Sequence, residues 1–138
     1  MMISTKGTYA LRVMIDLAQH ENDGYISLKS IAERQNISMK YLESIVSLLS
    51  KGGLLRSQRG KDGGYMLKKP AEGYHIGEIL RLTEGGLTPV SCHGFSEGDE
   101  ECRNARSCLT FPMWQKLDNM INDYLDKVSL KDLLEGNV

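Results

Sequence analysis

The chain has 138 residues, of which 41% are hydrophobic and 25% charged, and a formal net charge of −1. That is the length of one domain with enough apolar side chains to build a core. No apolar run approaches the roughly 18 residues of a membrane helix, and Lys6, Arg12 and Asp16 break up any signal-peptide core, so a cytoplasmic protein with no membrane partner is expected.

The near-neutral total hides a split. Residues 1–70 carry eleven Lys or Arg against six Asp or Glu, a net of +5; residues 71–138 carry six against twelve, a net of −6. A basic half joined to an acidic half suits a nucleic-acid reader with a separate sensing or assembly part.

In chain order, residues 5–20 read as a helix with Leu11, Met14, Ile15 and Ala18 on one face, closed by the turn signal Asn22-Asp23-Gly24. Ser27 is a good cap for a second helix, Leu28 to Gln35, with Leu28, Ile31 and Ala32 turned inward. Asn36 tolerates the left-handed conformation, Ile37 can plug the gap between helices, and Ser38 caps a third helix. On that helix Leu42, Ile45, Val46 and Leu49 recur at helical spacing; Ser38, Lys40, Glu43, Ser44, Ser47 and Lys51 lie opposite. Two short helices joined by a tight connection make a helix-turn-helix. Gly52-Gly53 stops the third helix. Two strands, Leu54 to Gln58 and Gly64 to Lys68, then flank the glycine-bracketed basic tip Arg59-Gly60-Lys61-Asp62-Gly63.

A helix with a short-polar and charged face, followed at once by a basic hairpin, suits double-stranded DNA. The helix enters the major groove and the hairpin reaches along the backbone. Candidate contacts are Ser38, Lys40, Tyr41 and Glu43 on the helix, with Arg59, Gly60 and Lys61 at the tip. The alternative is a helical hairpin that only packs.

Beyond Pro70, Ile76 to Thr83 reads as a helix with Ile79, Leu80 and Leu82 apolar, ended by Gly85-Gly86. Residues 87–107 show no periodicity, and a loop of about twenty residues inside a compact domain is usually functional or disordered. It holds an acidic run (Glu97, Asp99, Glu100, Glu101) together with Cys92, His93 and Cys102, with Cys108 at its edge. A long helix follows from about Leu109 to Lys127. Pro112 must lie in its first turn, and Met113, Leu117, Met120, Ile121, Tyr124 and Val128 form an apolar stripe. That stripe is more than so small a domain covers easily, so a twofold homodimer through this helix is expected. Packing of the helix on its own domain is the alternative. Ser129 and Asp132 have capping-box spacing for a last helix through Leu134.

The expected architecture is mainly α (α+β). A winged helix-turn-helix DNA-binding domain spans 1–84, a cysteine-bearing loop 85–108, and a dimerisation helix with a short terminal helix 109–138.

In a reducing compartment three cysteines are more often ligands, sensors or core residues than a disulfide framework. The spacing Cys92-x9-Cys102-x5-Cys108 has no C-x-x-C pair, which fits a structural zinc site poorly. Thiolates in a loop suit an iron–sulfur cluster, which needs four ligands, so three cysteines leave one position open. His93, adjacent to Cys92, points awkwardly for joint ligation. A thiol redox sensor and inert cysteines are the other readings. No nucleophile–base pair, phosphate loop or metal-hydrolase motif points to an enzyme.

The whole chain resembles the Rrf-two family of bacterial winged-helix regulators, the group of IscR, NsrR and CymR, with most likeness to the IscR branch. The opening MMISTKGTYALRVMIDLA, the segment SLKSIAERQNISMKYLESIVSLLSKGGLLRSQRGKDGGYML, the helix IGEILRLTEG and the stretch CLTFPMWQKLDNMINDYLDKVSLKDLL carry the likeness. It implies a dimeric DNA-binding repressor or activator, with a cluster, [2Fe-2S] in the IscR branch, on Cys92, Cys102 and Cys108. Control of iron–sulfur biogenesis genes follows, with iron–sulfur assembly proteins as further partners. The alternative is a nitric oxide or thiol-redox sensing repressor of the same fold. Family loops space the cysteines by five residues, whereas the first gap here is nine. The IscR histidine ligand falls at Phe111, and the acidic ligand that NsrR-like proteins take from the partner's first helix falls at Thr8, so the fourth ligand is open.

Overall fold

The computed structural model describes residues 3–90 and 108–138. Among them lie six α-helices and one two-stranded antiparallel sheet: α1 Thr5–Gln19, α2 Leu28–Gln35, α3 Met39–Lys51, β1 Leu55–Gln58, β2 Gly64–Leu67, α4 Ile76–Glu84, α5 Phe111–Lys127 and α6 Leu130–Glu135. This is the expected mainly α (α+β) winged-helix order, with a single 3-10 turn at Ala71–Gly73 added between β2 and α4.

The helix starts follow their caps. Ser4, Ser27, Ser38 and Ser129 each accept a hydrogen bond from the amide three residues on. At α6 the box closes, because Asp132 also accepts the Ser129 amide at 2.9 Å. Asn36 ends α2 in the left-handed conformation at φ 53°, and Ile37 turns into the core behind it.

The core is built from the inner faces of α1, α2, α3 and α4, closed by Tyr74 and by Leu130 of α6. Met14, Leu17, Ile31, Leu42, Ile45, Leu49, Ile79 and Leu130 are fully buried. The inward face of α1 differs from the sequence expectation. Ala10, Val13, Met14 and Leu17 face the core, while Leu11 and Ile15 are only half-buried. Apolar residues cover a broad arc of the helix, with Thr5, Thr8, Arg12 and Gln19 on the exposed side, so periodicity alone does not fix the centre of its inner face, and Asp16 lies on the buried side.

α5 behaves differently from the other long helices: none of its residues is buried. Arg81 of α4 holds it, donating to Asn122 at 2.9 Å and to Asp126 at 2.8 Å. Two of the stripe residues lean the other way. Ile121 packs with Leu125 against the core, and Val128 belongs to it. Met113, Leu117, Met120 and Tyr124 stay exposed, at spacings of four, three and four. The Arg81 brackets turn one flank of α5 inward and leave that narrower stripe facing out.

Candidate nucleic-acid interface

The third helix is packed by the face its sequence predicts. Leu42, Ile45, Val46 and Leu49 are buried, which leaves Ser38, Lys40, Glu43, Ser44 and Ser47 exposed. Two candidate contacts carry internal duties as well. The Ser38 hydroxyl oxygen accepts the Tyr41 amide at 3.3 Å as the helix cap. Tyr41 is half-buried, its ring edge to face with that of Tyr9 on α1, centroids 5.7 Å apart. Ser44 donates its hydroxyl hydrogen to the Tyr41 carbonyl at 2.7 Å. With Ser38 and Lys40 these residues line a shallow hollow of about 320 Å³ at the start of the helix.

The wing pairs Leu55 with Leu67 and Gln58 with Gly64, so the tip runs from Arg59 to Gly63. Arg59, Gly60 and Lys61 are all exposed there, and the Gly63 amide donates to the Gly60 carbonyl at 3.1 Å to close the turn. Two glycines are required by space. A Cβ on Gly63 would lie 2.1 Å from the Gln58 carbonyl oxygen, and one on Gly64 2.1 Å from that of Ile26. The close approach at Gly64 lets Ile26 add a third edge to the sheet, exchanging backbone hydrogen bonds of 2.8 and 2.9 Å with Tyr65. Lys61 and Asp62 thereby border a cleft of about 510 Å³ that also takes in Ser27, Ser30 and Arg34 of the helix-turn-helix.

Tyr74 braces the base of the wing. It is fully buried, and its hydroxyl donates to the Leu54 carbonyl at 2.7 Å while accepting the Lys68 amide at 2.8 Å. Burial pushes the phenol above its usual range. A second internal support joins α1 to α2. Asp16 is buried, and Arg34 donates to both its carboxylate oxygens at 2.9 and 2.7 Å, while Gln35 adds a third bond at 2.9 Å. Burial alone would raise this carboxyl, yet the Arg34 and Gln35 hydrogen bonds and the nearby charges hold it below the usual carboxylate range. The sequence reading missed Asp16, Arg34, Gln35 and Tyr74. A carboxylate among Val13, Met14 and Leu17 was the available signal, since a charge on an apolar face needs a partner.

Of the candidate metal ligands, Cys108 lies just ahead of α5; Cys92, Cys102 and His93 lie outside the described residues. The Cys108 thiol is half-exposed and 3.2 Å from the Thr110 hydroxyl. Hydrogen bonds from Thr110 hold it below the usual thiol range. Among the described residues no three His, Cys, Asp or Glu gather as a metal site, and none of their helices is long and apolar enough to cross a membrane.

The profile of the Rrf2 family, described as iron-dependent transcriptional regulators, matches residues 3–136. A helix-turn-helix transcriptional regulator of Neisseria meningitidis is 38% identical over 135 residues, 98% of this chain and 88% of the relative. IscR of Erwinia tasmaniensis is 37% identical over 136 residues, 99% of this chain and 80% of the relative. Of solved structures, IscR of T. potens superposes with a TM-score of 0.76 at 38% identity, covering 100% of this chain and 89% of its own. CymR, the global cysteine regulator of B. subtilis, also gives 0.76 at 38% identity, covering 96% and 95%. These relatives are named as transcriptional regulators, and none of those names is an enzyme's. On sequence and fold alike, the chain belongs to the Rrf2 family of winged-helix transcriptional regulators.

Proposed function

We propose that this regulator binds operator DNA as a homodimer and that an iron–sulfur cluster controls its choice of sites, with iron–sulfur biogenesis genes as its targets. The observation that carries the reading is the pairing of two exposed features. A helix is packed by its apolar side so that Lys40, Glu43 and Ser44 stay exposed, and a glycine-bracketed tip bearing Arg59 and Lys61 follows it. In this reading Ser38, Lys40, Tyr41 and Glu43 meet base edges and phosphates of the major groove. Arg59, Gly60 and Lys61 take the adjacent backbone or minor groove. Residues 1–84 read DNA, 85–108 sense and 109–138 join two copies.

The donor chemistry fits a cluster. Cysteine thiolates are its usual ligands, and Cys108 offers a half-exposed thiol drawn toward the thiolate. Cys92, Cys102 and Cys108 would hold it. Phe111 has no donor atom and Thr8 no carboxylate, so neither family position supplies the fourth ligand. When bound, such a group makes occupancy and oxidation state into a signal; iron–sulfur assembly proteins would deliver it. The chain's own part is to shift between states that differ in DNA affinity, since a ligand moves an equilibrium only through differential affinity. The exposed stripe Met113, Leu117, Met120 and Tyr124 supports a twofold seam along α5, because so much apolar surface on one helix is costly to leave in water.

A second reading keeps the fold and changes the signal: a nitric oxide or thiol-redox sensor. The lowered Cys108 thiol and the likeness to CymR favour its thiol form. Anaerobic purification separates the two. A coloured protein with about two irons and two sulfides per chain, bleached by Cys92→Ser, Cys102→Ser or Cys108→Ser, supports the [2Fe-2S] reading. A colourless protein after anaerobic reconstitution rejects it in favour of the thiol sensor; a cluster that nitric oxide removes at stoichiometric dose supports nitric oxide as the signal.

A further inference from the structure

The start of α3 is supported from behind by side chains of α1. The Tyr9 and Tyr41 rings meet at 78°, centroids 5.7 Å apart. The Arg12 guanidinium lies over the Tyr9 ring, 4.9 Å from its centre. Arg12 is itself fixed, donating to the Gln35 backbone carbonyl and, at 3.3 Å, to the Gln35 side-chain oxygen. Gln35 ends α2 and is tied to Asp16 of α1 at 2.9 Å. One helix therefore holds both flanks of the left-handed turn at Asn36: Gln35 before it and Tyr41 after it. Tyr41 is also a wall of the hollow at the start of α3, between Ser38, Lys40 and Ser44.

An exposed aromatic ring on a helix has several rotamers, and sequence-specific contact needs one of them. A ring already held in place loses less freedom when the DNA arrives. Non-specific binding rests on phosphate charge and does not ask for that pose. Tyr9 thus bears on discrimination rather than on attraction.

We propose that Tyr9, steadied by Arg12, is a positioning residue for sequence-specific DNA reading, acting through the Tyr41 ring to keep the first turn of α3 in its reading pose. This rests on α3 being the reading helix.

The test compares affinity for an operator selected from a randomised pool with affinity for a random duplex of equal length, at several salt concentrations. Thermal stability is followed alongside. Tyr9→Phe keeps the ring, and its operator-to-random ratio stays within about twofold of wild type. Tyr9→Leu keeps apolar bulk without the ring. Its ratio falls about five- to tenfold, the scale of one aromatic pair, while random-duplex affinity and salt slope stay unchanged. Adding Tyr9→Leu to Tyr41→Leu causes no further loss. Arg12→Met lowers the ratio in the same direction, which preserves the test if Tyr9→Leu does not fold. An unchanged ratio in both Tyr9→Leu and Arg12→Met overturns the proposal, as does a fully additive double variant. A Tyr9→Phe loss equal to that of Tyr9→Leu also overturns it, since the hydroxyl and not the ring would then matter. A wild type that discriminates between no two sequences overturns the reading of α3 itself, and this proposal with it.

Discussion

Arg34 closes on Asp16 as a two-pronged fork, Nε to one carboxylate oxygen at 2.9 Å and Nη2 to the other at 2.7 Å, and so fastens the second helix to the first. The carboxylate is 1% exposed and the guanidinium 37%, so one end of the pair is buried and the other reaches water. A buried carboxylate is tolerated only when its oxygens are satisfied, and Gln35 supplies the third bond.

Asp16→Asn keeps the shape and removes the charge. Because the guanidinium is partly solvated, the expected loss is at the lower end for such contacts, about 2 kcal/mol. The sign with pH follows from the direction of the shift. The carboxyl is held below its usual range, so its contribution is fully present above the unfolded value near about 3.9 and disappears as pH falls through the lower folded value. Urea unfolding of both proteins should therefore show a constant gap at neutral pH that narrows below about pH 4. A gap that widens on acidification would contradict this.

The wing offers a contrast between brace and tip. Tyr74→Phe deletes the hydroxyl that joins Leu54 to Lys68, leaving the part-buried Lys68 amide and Leu54 carbonyl without that partner. It should cost about 1–3 kcal/mol of stability. Arg59→Ala, at the exposed tip, should leave the melting temperature unchanged and lower the salt slope of DNA binding by about one, the effect of one phosphate contact. Calorimetry and salt titrations on both variants separate the two roles. A tip variant with wild-type affinity and slope at every salt removes Arg59 from the interface.

Much of the fold is legible in the sequence because its signals are local. Serine caps at 27, 38 and 129, the left-handed Asn36 and the apolar spacing of Leu42, Ile45, Val46 and Leu49 all act within a turn or two of chain. The inner face of α1 and the double role of Ile121 were not legible. Both are decided by which neighbour an apolar side chain meets, as when Arg81 of α4 brackets Asn122 and Asp126 and turns Ile121 inward. Of the candidate interface, exposure of Lys40, Glu43 and the tip followed from the pattern. The Tyr9 contact behind Tyr41 did not, since the two rings are thirty-two positions apart in the chain.

The stripe on α5 predicts where a second copy sits. Leu117→Asp and Met120→Asp alter side chains that are exposed in the single chain, at 38% and 59%, so the fold should survive. A charge without a partner in an apolar seam opposes association. Light scattering should report a monomer with weakened operator binding, because paired half-sites are read by paired helices. Ile121→Asp should instead destabilise the chain itself, since Ile121 packs on the core. A Leu117→Asp protein of unchanged dimeric mass would move the interface elsewhere.

Glu43 sets the last expectation. It is exposed on α3 one turn from Lys40, and it is the only acidic residue between Ser38 and Lys51. A carboxylate in the major groove can accept a hydrogen bond from cytosine N4 but repels phosphate and finds no donor at many other base edges. It should act as a filter that refuses a site unless the base beneath it donates. Glu43→Ala then relaxes specificity: a good site loses little, while rejected sites gain roughly tenfold, one desolvated charge being worth more than about 1 kcal/mol. If cluster occupancy changes the pose of α3, the relaxation is larger in cluster-free protein, where the filter has most to refuse. Competition binding of both proteins on a randomised operator pool, with and without cluster, measures this directly. Selection of the same motif at the same stringency by wild type and Glu43→Ala in both states would reduce Glu43 to a solvated side chain and require discrimination to come from Ser38, Lys40 and the wing.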